Sequence, residues 1–232
     1  MSFCDLSVRN KQVLTDACDC GYKINALDKV ITIKKMLLIS DKKISFSKDD
    51  GFSSNSDNNN VNNKGLRRLT ILFDDMSNID ALKVKLANLK GYDVISILPI
   101  SETTFVYACE KLKNIDIITI DTSIGLKYNL SPSVVKTAID RGVYFEALYG
   151  EAVSNQSARK FFMSGIADIG RATRGGRNLI VSSGAENKYC LRRPYDIINL
   201  LYMLGIKKSK EALTVHPSML LAQSKRRNNG YS

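Results

Sequence analysis

The stretch "YDVISILPISETTFVYACEKLKNIDIITID", residues 92–121, decides the fold, because two apolar runs of strand length flank a segment with helical periodicity. The runs Asp93–Leu98 and Ile115–Ile120 are almost continuously apolar rather than alternating, which is typical of strands covered on both faces. The segment between them predicts a helix over 102–113. A strand–helix–strand unit of this kind predicts two parallel strands joined by a covering helix.

The same alternation continues on both sides of this stretch. We predict five more strands, at 3–8, 22–27, 68–73, 143–148 and 178–182. We predict further helices at 11–20, 78–90, 132–141, 156–173 and 194–204, with more helix after Ser209. Gly21, Gly91 and Gly142 support this order, because each stands just before a predicted strand, where a helix-ending glycine belongs.

The predicted fold class is α/β, a single TIM-like (β/α) barrel, regular or distorted, that occupies residues 1–232 as one domain. Seven strands are clear, and the eighth is either "KKISF" at 42–46 or irregular. The Asn-rich segment 47–65 has too few apolar residues to offset its ordering entropy, so we predict a disordered inserted loop there. Residues 225–232 are predicted to form a basic, flexible tail.

The charge of the chain favours a polyanionic partner. Lys and Arg number 34 against 23 Asp and Glu, for a formal net charge of +11 and a pI near 9.4. Twelve of the bases but only three of the acids lie from Gly170 onward, so the C-terminal quarter carries most of the excess. Such a surface suits nucleic acid or an anionic membrane surface, and no apolar run is long enough to span a bilayer.

The cysteines and the first residues indicate where the chain works. Five cysteines without a C-x-x-C motif favour a reduced, intracellular compartment. The pair in "CDC" at 18–20 is better explained by helix packing than by metal binding. The polar, charged start of the chain predicts no signal peptide.

The residues for catalysis are scarce. The only histidine is His216, in "TVHPSM", and no H-x-H, H-E-x-x-H, P-loop or G-x-G-x-x-G motif occurs. An all-carboxylate magnesium site remains open as an alternative, because Asp5, Asp121 and Glu146 fall near strand ends. Carboxylates at such positions more often cap a helix or pair with an internal base. We therefore predict no catalytic residue, no metal ligand and no cofactor.

Basic residues near the C-terminus have a clearer organisation. On the predicted helix 156–173 the residues Phe162, Ile166 and Ile169 share one face. The bases Lys160, Arg171 and Arg174 fall on the opposite face, with Arg159 at its flank. Further candidates are the bases and hydroxyls of neighbouring turns and the tail, namely Arg177, Ser182, Ser183, Lys225, Arg226 and Arg227. Aromatic residues are only modestly interleaved, so we expect phosphate contacts to structured RNA rather than stacking on single strands.

Five segments in order carry a family resemblance: "RRLTILF" (67–73), "YDVISILP" (92–99), "FVYACEKLKNIDIITID" (105–121), "AIDRGVYFEALYG" (138–150) and "LIVSSGAENKYCLRRPYDIINLLYMLGI" (179–206). Together they resemble the thirty-kilodalton protein subunit family of ribonuclease P, which is shared with RNase MRP in eukaryotes. The resemblance runs from "CDLSV" to "SMLLAQSKRR" and lapses over the Asn-rich insert.

The resemblance implies a non-catalytic, TIM-like subunit of the particle that removes 5′ leaders from precursor tRNA. In such a particle the RNA and its magnesium ions carry the cleavage, and the protein braces the RNA and pairs with a small ferredoxin-like subunit. The location implied is the nucleus and its nucleolus, with a role in rRNA processing where the chain also serves RNase MRP. The RNA contacts carried over by matching motifs are Arg67, Arg68, Arg141, Arg159, Lys160, Arg192 and Arg193, of which Arg193 departs from the family's usual Gly or Tyr.

Two alternatives use the same residues differently. A metal-dependent phosphoesterase barrel rests on architecture alone, and the single histidine counts against it. A protein–protein adaptor would use the positive charge only for solubility.

Overall fold

A computed structural model of the chain describes residues 2–38, 65–89 and 91–228. The candidate eighth strand at 42–46 and the predicted loop 47–65, except for Gly65, lie outside these residues. Residues 229–232 of the predicted tail do so too.

The described residues form one parallel sheet with helices between its strands. In sequence order, which is also the spatial order, the strands are β1 (Cys4–Val8), β2 (Ile24–Thr32), β3 (Leu66–Phe73), β4 (Val94–Pro99), β5 (Ile117–Ile120), β6 (Tyr144–Leu148) and β7 (Leu179–Ser182). The helices are α1 (Val13–Cys20), α2 (Ile33–Leu38), α3 (Ile79–Asn88), α4 (Glu102–Glu110), α5 (Pro132–Asp140), α6 (Gly150–Ser154), α7 (Gln156–Ala172), α8 (Pro194–Met203) and α9 (Val215–Asn228). Short 3-10 helices lie at Lys188–Cys190 and Glu211–Leu213.

The sheet curls until its two edges meet. Past the end of β7, the Gly184 N–H donates to the Ser7 carbonyl at 2.8 Å, and the Arg9 N–H donates to the Ala185 carbonyl at 2.9 Å. Val8 and Ala185 form an isolated parallel bridge. A short segment without its own strand thus nearly closes a seven-stranded TIM-like barrel, which confirms the predicted fold class.

The lower interior of the barrel, at the N-terminal ends of the strands, is apolar. Leu220 of α9 packs there against inward residues from most of the strands, listed as Cys4, Leu6, Ala26, Val94, Ile117, Tyr144 and Ile180. His216 of the same helix is buried, and its Nδ1 lies 2.7 Å from the Leu179 carbonyl oxygen. Helix α9 therefore covers the bottom of the barrel, and the remaining core packs between the sheet and the outer helices.

The strand and helix boundaries differ from the prediction in places with a physical reason. Strand β2 continues to Thr32, five residues beyond the predicted end, because it pairs with β3 over seven consecutive residues. Helices α2 and α6 are too short to show a helical period in the sequence. Gly21 and Gly142 adopt positive φ values of 111° and 81°, as predicted for residues that end helices.

Candidate nucleic-acid interface

Arg68 is the centre of a buried polar network inside the barrel, above the apolar layer. Its guanidinium forms a two-pronged ion pair with Glu146, at 2.6 Å and 2.5 Å. Its Nε lies 3.4 Å from the Asp28 carboxylate, and its side chain is completely buried. Thr70 and Thr119 accept further hydrogen bonds from the guanidinium. The prediction of an RNA contact at Arg68 is therefore wrong, because no phosphate can reach it.

The carboxylates of this network are fully engaged by the fold. Burial alone would raise the pKa of Glu146, but the charge and hydrogen bonds of Arg68 hold that pKa below its ordinary value. Asp28 accepts hydrogen bonds from the Ser7 and Thr70 hydroxyls at 2.8 Å and 2.7 Å. Across residues 2–38, 65–89 and 91–228 there is no group of three or more His, Cys, Asp or Glu residues placed to hold a metal ion.

Ser182 and Ser183 also serve the interior rather than the surface. The Ser182 hydroxyl donates to Glu146 at 2.7 Å, and the Ser183 hydroxyl donates to the Ser7 carbonyl at 3.2 Å. Both residues are only 1% exposed. The predicted contacts of these two serines with RNA are wrong, because each hydroxyl is buried and bonded within the fold.

Arg141 caps the end of a neighbouring helix. Its guanidinium donates to the carbonyl oxygens of Ala108 and Cys109 at 3.2 Å and 2.5 Å, and to that of Leu112. These acceptors are carbonyls at and just beyond the C-terminus of α4, which carry partial negative charge and otherwise lack partners. These donors of Arg141 stabilise α4, and its phosphate contact stays a prediction.

The C-terminal bases are helical rather than flexible. Lys225, Arg226 and Arg227 belong to α9, so the predicted tail cannot begin at 225. Arg227 binds the buried Asp116 carboxylate through two hydrogen bonds of 2.9 Å and 3.2 Å, which fix the end of the helix. The RNA contact of Arg227 stays a prediction. Lys225 and Arg226 remain exposed.

The ends of α7 and α8 form an open groove of about 460 Å³, which we call the basic groove. Arg171, Arg174 and Lys207 supply its cations. Its remaining lining is small or apolar, consisting of Ala167, Gly170, Gly175, Leu204 and Gly205. Arg171 pairs with Asp168, whereas Arg174 and Lys207 have no ion pair among the described residues. In the described part of the chain these two cations thus have no carboxylate within ion-pair distance, although the charge of Arg174 helps to lower the pKa of Asp140.

Backbone geometry brings these cations together. After α7, Arg174, Gly175 and Gly176 all have positive φ, and the Gly175 N–H donates to the Gly170 carbonyl at 2.7 Å. The Lys208 N–H donates to the Gly175 carbonyl at 3.1 Å, which joins this turn to the segment after α8. A Cβ at Gly176 would lie 2.8 Å from Ile206, so this close approach requires glycine. The turn is a helix C-terminus, and its packing creates the groove.

The remaining predicted contacts fall at the two ends of the barrel. Lys160, Arg192 and Arg193 are exposed near the C-terminal ends of the strands, and Arg159 there donates to the carbonyls of α6. Arg67 and Arg177 lie at the other end, where they pair with Asp93 and Asp140 at 3.9 Å each. Helix α7 has 17 residues and hence a length of about 25 Å, which separates the two groups.

Sequence reasoning missed two residues that the structure makes prominent. Lys207 completes the basic groove from the far end of α8, which no local pattern predicts. Tyr189 is 75% exposed beside Arg192, although the aromatic ring of a tyrosine is more often largely buried. Its position between Lys188 and two arginines was the available signal.

The fold and surface define a TIM-like barrel with an apolar lower interior, a buried arginine–glutamate ion pair above it and basic surfaces at both ends. The family model for RNase P subunit p30 matches residues 2–229, so the chain belongs to this family.

Several relatives agree with this assignment. The chain is 36% identical over 143 residues to Protein GAMETOPHYTE DEFECTIVE 1 of Arabidopsis thaliana, covering 62% of this chain and 24% of that protein. It is 26% identical over 215 residues to ribonuclease P protein subunit p30 of Mus musculus, covering 90% and 80%. The match to ribonuclease P/MRP protein subunit RPP1 of Saccharomyces cerevisiae is 27% identical over 166 residues, covering 71% and 55%. The chain thus spans only part of the length of the Arabidopsis thaliana and Saccharomyces cerevisiae relatives.

A solved structure supports the fold. A chain in the cryo-EM structure of archaeal ribonuclease P with mature tRNA superimposes with a TM-score of 0.64 at 14% identity, over 96% of this chain and 91% of that one. The resemblance inferred from the sequence motifs is confirmed at the level of the family and the fold.

Proposed function

We propose that this chain is a non-catalytic protein subunit of a ribonuclease P particle, and that its basic groove binds the sugar–phosphate backbone of the RNA. The observation that carries the proposal is the set of three cations, Arg171, Arg174 and Lys207, around a groove lined otherwise by small or apolar residues. Family membership supports RNA as the partner, and the positive charge of the basic groove supports this groove as the RNA-binding surface.

The groove suits phosphates for two reasons. Arginine presents a planar set of donors that can bind a phosphate through two hydrogen bonds. Gly170, Gly175 and Gly205 add no side-chain bulk beyond Cα, so a backbone can approach closely. Each protein cation that replaces a counterion on an RNA phosphate adds affinity that falls as the salt concentration rises.

A second set of bases supports contact with RNA at the opposite end of the barrel. Lys160, Lys188, Arg192 and Arg193 are exposed there, and none of them forms an ion pair in the part of the chain that the structure describes. A protein with two cationic ends separated by about the length of α7 can hold two segments of one folded RNA. We infer a bracing role, in which the RNA and its magnesium ions carry the cleavage of the precursor tRNA leader.

The partners and location follow from the same proposal. A small ferredoxin-like protein subunit is the expected protein partner, and the relative named for both RNase P and MRP supports service in RNase MRP as well. The expected location is the nucleus, including the nucleolus. Among the described helices none is both long and apolar enough to cross a bilayer.

The test is the salt dependence of binding to the RNase P RNA of the same cell. Changing Arg171, Arg174 and Lys207 together to Ala should weaken binding and reduce the slope of log K against log salt by about 2 to 3, since each phosphate contact contributes about 0.9. A matched control removes three exposed lysines elsewhere, at positions 34, 35 and 127. An equal effect in the control would mean that net charge, not the groove, binds the RNA.

A further inference from the structure

Tyr189 is an exposed aromatic residue on the loop that follows β7, at the end of the barrel opposite the basic groove. Its side chain is 75% exposed, and the Lys188 ammonium lies 5.4 Å from the centre of its ring. An exposed tyrosine with an adjacent cation can contact the face of a flat ligand with little loss of side-chain freedom.

The backbone on both sides of this ring is fixed. The Asn187 side chain accepts a hydrogen bond from the Tyr189 N–H at 3.1 Å. The Tyr189 carbonyl accepts one from the Arg192 guanidinium at 3.0 Å, and the residues between form a 3-10 helix. The ring therefore projects from a turn that is already ordered before any ligand binds.

Two buried tyrosines tie the loop to the barrel. The Tyr22 hydroxyl donates to the Arg192 carbonyl at 3.1 Å, and the Arg192 N–H donates to the Tyr149 hydroxyl at 3.3 Å. Both tyrosines are nearly inaccessible, and burial raises the pKa of each above its ordinary value, so the hydroxyls stay protonated. A Cβ at Gly150 would lie 2.4 Å from the Ser183 carbonyl oxygen and 3.5 Å from Cys190, which shows how closely the loop packs.

The surroundings of the ring are cationic. Lys188, Arg192 and Arg193 are exposed and have no carboxylate partner within the described ranges. The nearest acid in the sequence, Glu186, is 3.7 Å from Arg9 and thus already has a cationic neighbour. A rigid aromatic ring among cations that lack a carboxylate partner suits a nucleotide base flanked by phosphates.

We propose that Tyr189 stacks on one unpaired nucleotide of the bound RNA, while Lys188 and Arg193 contact the phosphates on either side. This inference rests on the proposed RNA-binding function and names the structural class of the RNA segment at this end of the barrel. A nucleotide within a duplex cannot take part, because its base faces are covered by its neighbours. A protein partner would need carboxylates of its own at this surface to neutralise the cations.

The experiment measures binding of the full chain to two probes, an eight-nucleotide single-stranded RNA with a central 2-aminopurine and an eight-base-pair RNA duplex without unpaired nucleotides. Tyr189→Leu should weaken binding of the single strand about 5- to 150-fold and abolish stacking-induced quenching of the 2-aminopurine, because one base–aromatic stack is lost. Tyr189→Phe should bind within about twofold of the wild type, and the affinity for the duplex should not change in either variant. Tyr202→Leu is the matched control, since Tyr202 is 70% exposed on α8.

The outcomes separate this inference from the proposed function. Wild-type protein that binds neither probe would overturn both. Binding of both probes that Tyr189→Leu leaves intact would overturn only the stacking role. A Tyr189→Leu variant that keeps its RNA affinity but loses its affinity for the ferredoxin-like subunit would assign the ring to a protein interface instead.

Discussion

At the scale of single residues, two adjacent arginines of β3 lie in opposite environments. Arg67 and Arg68 are neighbours in one motif, yet successive side chains of a strand point to opposite faces. Arg67 is 40% exposed, whereas Arg68 lies at the centre of the barrel and pairs with Glu146. Glu146, the buried acid that pairs with Arg68, lies 78 residues further along the chain. Only the closed sheet brings the two together, so no local pattern could identify the pair.

The ion pair makes a prediction about stability. Arg68→Met should lower the free energy of unfolding by about 3 to 5 kcal/mol, because it leaves the buried Glu146 and Asp28 carboxylates without their cation. Arg67→Met, at the exposed neighbouring position, should lower the free energy of unfolding by about 1 kcal/mol or less. Urea denaturation of both variants measures the difference. The double variant Arg68→Met/Glu146→Gln should recover part of the loss, and equal effects at 67 and 68 would contradict the buried network.

Asp5 provides a prediction about pH. Burial raises the pKa of its carboxyl to about 6, from an ordinary value of 3.8, even though the Ser183 and Ser7 N–H groups donate to Oδ1. Its Oδ2 is buried and has no hydrogen-bond partner. The folded state thus holds this proton more tightly than the unfolded state, so its contribution to stability is present below about pH 4 and is lost as the pH rises through 6.

The substitution Asp5→Asn isolates this effect, because an amide keeps the Oδ1 acceptor and cannot ionise. Between pH 4 and pH 7, the wild type should lose about 2 to 3 kcal/mol of unfolding free energy relative to Asp5→Asn. Urea denaturation at several pH values measures the difference, with the exposed Glu102→Gln variant as the control. Parallel pH profiles for wild type and Asp5→Asn would show that Asp5 does not carry a raised pKa.

At the scale of secondary-structure elements, helical periodicity predicts which face of a helix packs against the sheet. The face of α7 that contains Phe162, Ile166 and Ile169 is buried, and Lys160, Arg171 and Arg174 are exposed, as the pattern predicts. The groove itself could not be predicted. It depends on packing the end of α7 against the end of α8, which a single-helix pattern does not contain.

Helix α9 also has a contact that its local sequence does not predict. Its three terminal bases suggest a solvated tail, but the acid that fixes Arg227 is Asp116, 111 residues earlier. Burial raises the pKa of Asp116, and the charge of Arg227 lowers it only in part. Loss of Arg227 would therefore leave a buried carboxylate with the Ile95 N–H as a remaining partner.

The contact between Arg227 and Asp116 can be tested by comparing variants of Arg227 with variants of its neighbour Arg226. Arg227→Gln should lower the unfolding free energy by about 1 to 3 kcal/mol, as for loss of a largely buried charged hydrogen bond. Arg226→Gln should change it by about 0.5 kcal/mol or less, since Arg226 is exposed. Amide hydrogen exchange over 221–228 should accelerate only in Arg227→Gln. Similar exchange rates in both variants would contradict the contact and support the flexible tail predicted from the sequence.

At the scale of the whole molecule, strand order and barrel architecture could be predicted because each strand and each covering helix has its own pattern. The way the barrel closes could not, because the Gly184 and Ala185 contacts to Ser7 and Arg9 link opposite ends of the chain. The interior is stabilised by an arginine–glutamate pair, and the outer surface presents cations at both ends. This division of charge suits a scaffold for RNA better than a catalyst.

The most direct measurement is recovery of RNA with the tagged protein from the cells in which it occurs. We predict that RNase P RNA copurifies with the wild type and that the isolated particle removes 5′ leaders from precursor tRNA. Changing Arg171, Arg174 and Lys207 to Ala should lower the amount of recovered RNA in a salt-dependent manner. Purification of the folded wild-type protein with its protein partners but without RNase P or MRP RNA would contradict the proposed function.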